Sequence, residues 1–483
     1  MSKKSCLILT LALYSSCVSV PDDVLVENRA EVKTAPTTQA ATEFLSDTDA
    51  AYEYLEKIQH AALGKASESR QKEIAEKLDD VRFIYREIYK NKSVVSGSGP
   101  GINEKEFMRL IEERVALHLP TRYEDPFTNI IMEGLTSKIL KACDALSLEL
   151  SQTLRFGTIH HPIMNAYTIA VPDSSEHLVV VSDRLFSFIH EMAKVALSPT
   201  VIEFSPSKQA IEYNMSETTA ANHIRANPEL QRYFVSMILD FLLIVPGEHR
   251  IIGRDIMPLV SALVEGSELF IVGHEFGHVI GQHVPKKMTL FKLNSPAGEH
   301  RDEPPERVVR SWRQEVEADI YGFQLMMTAL GNNSQTTTSD ISLLAPLFFF
   351  KCVEILEKAK FLLENGVEEN SLSETELTKI LDALISVLDE EDEYEVNDLE
   401  LSSLSRKYGE HPPVFLRHFL LSRLLESAMP DDGRGLDPQA IQLSSTVERN
   451  LDLFWMETVP TFEKLAHIIR NRQLEIWNTR QDF

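Results

Sequence analysis

Cysteine is nearly absent from this chain: four in 483 residues, at Cys6, Cys17, Cys143 and Cys352, with no Cys-x-x-Cys pair. A cysteine-ligated metal site and a disulfide framework are therefore unsupported. Cys143 and Cys352 stand in apolar, helix-like surroundings, where a buried free thiol is the ordinary state; one bridge between them is the alternative. Positive charge is also short, with 48 Lys and Arg against 73 Asp and Glu and a formal charge of -25. That surplus repels phosphate backbones, so no nucleic-acid partner is expected. Long apolar runs are missing too. No segment reaches the run of about 18 residues that spans a bilayer; the best, Tyr233 to Pro246, is broken by Asp240. What is present is ordinary for a folded globular protein: 43% hydrophobic and 25% charged residues, in a chain long enough for two or three domains.

The N-terminus carries its own signature. Lys3 and Lys4 precede a short apolar run from Leu7 to Leu13, followed by Tyr14-Ser-Ser-Cys17. A positive start, a brief apolar stretch and small residues before a cleavage point mark a secretory signal. The cysteine after two small residues resembles a bacterial lipoprotein signal, although Tyr14 stands where such signals usually carry Leu. Cys17 would then be the lipidated first residue, and the chain would face the periplasm on a lipid anchor; a plain signal peptide is the alternative.

Residues 18–48 are rich in Thr, Ala, Asp and Glu without periodicity and read as a tether. A helical region follows over 49–120, with a linker of Ser, Val, Gly and Pro from Ser93 to Gly101. Another helical stretch covers Phe127 to Leu150. The period then changes: Leu154–Ile159, Ala166–Val171 and Leu178–Val181 are short β-rich runs separated by turn residues. They are the one clear sheet signal and predict a small sheet of three or four strands. The chain after Asp183 reads mainly as helices, with an acidic segment over 365–410 and a helical tail over 426–483. The expected class is α+β, predominantly helical.

The chemistry is concentrated between Ser267 and His283, in the run Gly273-His-Glu-Phe-Gly-His278. On a helix, i and i+4 lie one turn apart on one face, so His274 and His278 can aim ring nitrogens at one zinc ion at about 2.0–2.1 Å. Glu275 is placed to reach a zinc-held water, whose pKa falls to about 7, and to act as general base. A third protein ligand is needed. A second helix, bounded by Pro304-Pro305 and Gly331, carries Gln314-Glu-Val-Glu-Ala-Asp319. Glu315 can complete the ligand set for one Zn2+ per chain, and Asp319 can accept the N–H of a ligating histidine. Glu317, about 200° around the helix from Glu315, is a poorer ligand. Gly273, Gly277 and Gly281 form one stripe on the first helix, and glycine inside a helix costs roughly 0.5–1 kcal/mol relative to Ala. The stripe implies close approach by another backbone or by substrate.

On these residues the sequence resembles the HtpX-like family of zinc metallopeptidases, which includes the CAAX prenyl endopeptidases and periplasmic lipoprotein-quality proteases. Four elements match: the His274 to His278 core with His283 five residues on, Glu315 to Asp319, Asn165-Ala166, and His411-Pro-Pro-Val-Phe-Leu-Arg417. The resemblance covers residues 121–425 and implies a zincin-like peptidase domain with its His-Glu-x-x-His active-site helix. It further implies an edge strand at Asn165 and Ala166 that receives an extended peptide, and His411 as a donor to the oxyanion, with Arg417 of the same motif behind the site; the alternative is a helix N-terminal histidine before Pro412 with Arg417 paired to an acid. The chain departs from the family by about 80 residues between His190 and Glu268, an insertion that bears on cleft shape and substrate range.

The function implied is a zinc-dependent endopeptidase acting on cell-envelope proteins. Two rivals stand beside it. One is an assembly or chaperone-like factor that keeps a zinc fold for structure, for which an intact Glu275 has no use. The other is a different hydrolase with this motif, an aminopeptidase or a phage-exclusion-type protease, which end-group analysis of products separates.

Overall fold

In the computed structural model the described residues are 50–63, 67–74, 76, 105, 109, 119–150, 153–160, 166–205, 210–214, 216–243, 256–284, 305–331, 337–366, 412–428 and 438–481. Cys17, Asn165, His411, the tether and almost all of the acidic 365–410 segment lie outside them.

The chain is mainly helical, with a small mixed sheet. Helix α1 (Ala50–Leu63) and helix α2 (Pro126–Ala145) precede β1 (Thr153–Ile159), β2 (Ala166–Ala170) and β3 (Glu176–Ser182). The three strands are ordered β1-β3-β2, with β1 parallel and β2 antiparallel to the central β3. Val179 and Val181 face the main core, while Leu178 and Val180 join a smaller core with Leu55 and Ile58 of α1. Because both faces of β3 are covered, its sequence is an unbroken apolar run rather than an alternating one.

After β3, Ser182 caps helix α3 (Asp183–Leu197). A hairpin of β4 (Val201–Ser205) and β5 (Ala210–Asn214) comes next, then α4 (Glu217–Arg225) and α5 (Pro228–Leu243). The hairpin corrects the reading of this region as helical. Its alternation, Val-Ile-Glu-Phe against Ala-Ile-Glu-Tyr, has the strand period of two.

The centre of the molecule is α6 (Met257–Ile280), buried around nearly its whole circumference. A helix apolar on all sides belongs inside a protein. It packs on α7 (Pro305–Leu330), α8 (Thr337–Asn365) and α3. Proline opens α7 where a missing N–H costs nothing, and Gly331 at φ +73 follows its end, the left-handed closure that favours glycine. Helices α9 (Val414–Ala428) and α10 (Pro438–Gln481) pack against α8. Cys143 on α2 and Cys352 on α8 are both buried and free, so the bridge between them is not formed. Among the described residues, no helix is long and apolar enough to cross a membrane.

One row of the sheet is set directly against α6. Phe156, Val179 and Thr168 are register partners across β1, β3 and β2. Phe156 stacks on Phe276 of α6 with centroids 5.7 Å apart, and Thr168 bonds Glu275. The sheet therefore lies across α6 at the turn that bears the histidines.

Candidate metal centre

Two glycine contacts bring α6 and α7 together. A Cβ on Gly273 would stand 3.0 Å from the carbonyl oxygen of Gly322, and one on Gly277 would stand 2.8 Å from that of Ala318. The glycine stripe thus meets backbone at two of its three positions, as its pattern suggests. At Gly281 the neighbour is a side chain instead: a Cβ there would lie 2.4 Å from Nε2 of His283.

This spacing puts His274 and His278 opposite Glu315. The two Nε2 atoms are 3.1 Å apart. Glu315 Oε2 lies 3.5 Å from Nε2 of His274, and its Oε1 lies 3.6 Å from Nε2 of His278. Ligands bonded tetrahedrally to one ion at about 2.0–2.1 Å sit roughly 3.3–3.4 Å from one another. The three side chains therefore have the edge lengths of one face of a coordination tetrahedron, and the donor set of two imidazoles and a carboxylate suits zinc. Ligand atoms of His274, Glu275 and His278 also fall within 4.8 Å of one another. Distance alone would admit Glu275 as a ligand; the carboxylate of Glu315, facing both Nε2 atoms, is the better fit.

Behind His274 stands an acid held by an arginine. Asp319 Oδ1 is 2.8 Å from His274 Nδ1. Arg417 of α9 donates Nε to Asp319 Oδ2 at 2.8 Å and Nη2 to Oδ1 at 2.6 Å, a paired fork that fixes the carboxylate plane. Its guanidinium also sits 4.9 Å above the Phe350 ring. Burial would raise Asp319, yet the charge and hydrogen bonds of Arg417 and the bond from His274 hold it below its usual value.

The two rings titrate apart. Burial pulls both down; at His274 the bonds to Asp319 and Glu315 prevail and hold it at about 9, whereas at His278 burial prevails and takes it to about 3. Glu275 is 2% exposed and raised by that burial, against the opposing pull of His274 and Thr168. Thr168 on β2 donates its hydroxyl to Glu275 Oε2 at 2.7 Å and lies 3.1 Å from the Glu275 carbonyl.

Of the residues singled out from sequence, the structure brings together His274, Glu275, His278, Glu315, Asp319 and Arg417. Ala166 opens β2, two residues before Thr168. Cys17, Asn165 and His411 fall outside the described residues; Pro412 and Pro413, just after His411, are buried at the start of α9. Sequence reasoning missed Thr168 and the part played by Glu317, whose carboxylate is 3.2 Å from Nε2 of His283. No family model, curated protein or solved structure matches the chain.

Proposed function

We propose that the chain is a zinc-dependent endopeptidase, in a zincin-like arrangement similar to the HtpX-like family. One observation carries this reading: two imidazole nitrogens and a carboxylate 3.1–3.6 Å apart, with the separate acid Glu275 alongside. In that scheme His274 and His278 offer their Nε2 lone pairs and Glu315 an oxygen, while Asp319 accepts the Nδ1–H of His274 and keeps that ring turned inward. A zinc ion held there would supply Lewis acidity toward a peptide carbonyl and a water.

Glu275 takes the proton of the attacking water and later delivers it to the leaving amine. Its burial favours a carboxylate ready to accept a proton, and the Thr168 hydroxyl fixes its orientation. β2 lies at an edge of the sheet beside α6, so an extended substrate can add to it as a further strand. That geometry favours an internal peptide segment over a free end, hence endopeptidase. The signal-like N-terminus supports a site of action at the bacterial cell envelope, with Cys17 as the lipid-bearing residue; Cys17→Ser should move the protein from the membrane fraction to the soluble one, and an unchanged distribution removes the anchor.

The deciding test is Glu275→Gln on the full chain, assayed on casein with and without a chelator. The expected outcome is retained zinc with cleavage lost; full cleavage in this variant, or cleavage indifferent to chelation, rejects the reading.

A further inference from the structure

Beneath the second histidine lies a relay that the proposed hydrolysis leaves unused. His278 Nδ1 is 3.3 Å from Nδ1 of His283, with the rings edge to face at 74°. On its other side His283 Nε2 is 3.2 Å from Glu317 Oε2. The His283 side chain is 6% exposed and that of Glu317 45%, so the relay runs from the buried ligand to the surface.

Proton accounting fixes its direction. A neutral imidazole that gives its Nε2 lone pair to a cation carries its proton on Nδ1. That N–H on His278 needs an acceptor, and Nδ1 of His283 is within reach. For His283 Nδ1 to accept, its own proton must sit on Nε2, where the Glu317 carboxylate receives it. One assignment of protons satisfies all three groups.

The chain is shaped to return His283 to this place. Helix α6 closes at Gly281, Gln282 takes φ 55, and the amide of His283 donates to the carbonyl of His278 at 2.8 Å. Gly281 leaves room for the returning ring, since a Cβ there would come 2.4 Å from Nε2 and 2.5 Å from Cε1 of His283. Glu317 comes from α7, on the side of that helix away from Glu315. It is too far around to be a ligand, and in the right place to hold His283.

We propose that His283 and Glu317 are positioning residues for His278, the counterpart of Asp319 and Arg417 for His274: they set its tautomer and ring orientation and thereby its affinity for zinc. This rests on the reading of His274, His278 and Glu315 as metal ligands.

The test is zinc affinity of the full chain by competition with a chromophoric chelator, alongside the melting temperature of the metal-free protein. His283→Phe fills the space but accepts no proton, and should weaken zinc binding roughly 10–100-fold, the usual cost of losing such a partner. His283→Asn keeps an acceptor near the position of Nδ1 and should restore most of the affinity. Gly281→Ala removes no polar atom but displaces the ring, and should resemble His283→Phe. Glu317→Gln, at the exposed end, should cost less than His283→Phe. The proposal is overturned if His283→Phe binds zinc within about twofold of the parent, or if His283→Asn is as weak as His283→Phe. Should His283→Phe fail to fold, parental affinity in Gly281→Ala or weak binding in His283→Asn overturns it equally. If the parent chain takes up no zinc, the metal reading itself has failed, a result distinct from either.

Discussion

Each edge of the three-stranded sheet holds a buried glutamate by a threonine, and the two glutamates are used differently. On β1, Thr158 lies with its hydroxyl 2.6 Å from Glu124 Oε2 and donates its amide to Oε1 at 2.8 Å. Gln59 of α1 adds a bond to the same Oε1 at 2.9 Å and another to the Thr158 carbonyl at 2.7 Å. On β2, Thr168 reaches Glu275 Oε2, and among the described residues no donor is bonded to its Oε1. Burial raises both carboxyls, Glu124 to about 8. Glu124 is saturated by neutral groups and joins α1 to the sheet; Glu275 keeps one oxygen uncommitted beside two histidines. A buried acid is thus structural or reactive according to whether its lone pairs are already spoken for.

The largest expected effect would break the comparison outright. Glu275→Gln should lower cleavage by at least the roughly 10²–10⁴-fold credited to a general base, while Glu124→Gln leaves cleavage near the parent rate. Equal losses in a side-by-side assay would mean that the two acids share one role.

Next in size is a pH effect confined to Glu124. Its carboxyl is raised from 4.5 to about 8 in the folded chain, so it stays protonated where the unfolded chain would ionise. The stability this contributes is complete below about pH 4.5 and is lost as pH rises through 8, with a slope of at most about 1.4 kcal/mol per pH unit. Denaturation of the parent should therefore become easier across that window relative to Glu124→Gln, whose amide carries no charge to bury. Parallel curves for the two proteins would show that Glu124 ionises normally.

Smallest is the pair of threonines. Thr158→Val strands part of a buried network and should cost about 1–3 kcal/mol of stability without altering the rate. Thr168→Val should do the reverse, slowing cleavage up to about tenfold with little change in melting, since one hydrogen bond is worth roughly 0.5–1.5 kcal/mol. A rate loss in Thr158→Val equal to that in Thr168→Val would erase the distinction between the two edges.

Helical arithmetic carried the sequence reading far. His274 with His278, and Glu315 with Asp319, are one-turn pairs, and the spacing alone puts each pair on one face of its helix. Prolines and Gly331 bounded α7 correctly, and the three β-rich runs became the three strands. What escaped depends on the whole fold. Gln59 bonds Glu124 across 65 positions and Thr168 bonds Glu275 across 107, distances at which no local period operates. Glu317 was weighed only as a ligand; the rotation that carries it away from Glu315 is what brings it to His283. Gly281 matched the stripe, but chain reversal after the helix, not periodicity, decides what it touches. The β4–β5 alternation was visible, yet it lay inside a stretch read for its helices.

The backbone contact between Gly273 and Gly322 fixes more than a distance. A Cβ on Gly322 would meet the amide nitrogen of His274 at 2.8 Å, so the two rods touch peptide to peptide at the level of the first imidazole. Flexible side chains can yield by changing rotamer, whereas touching peptides cannot. The jaws of this clamp are therefore rigid, and any methyl added between them would shift His274 and His278 together relative to Glu315 rather than loosening a single finger.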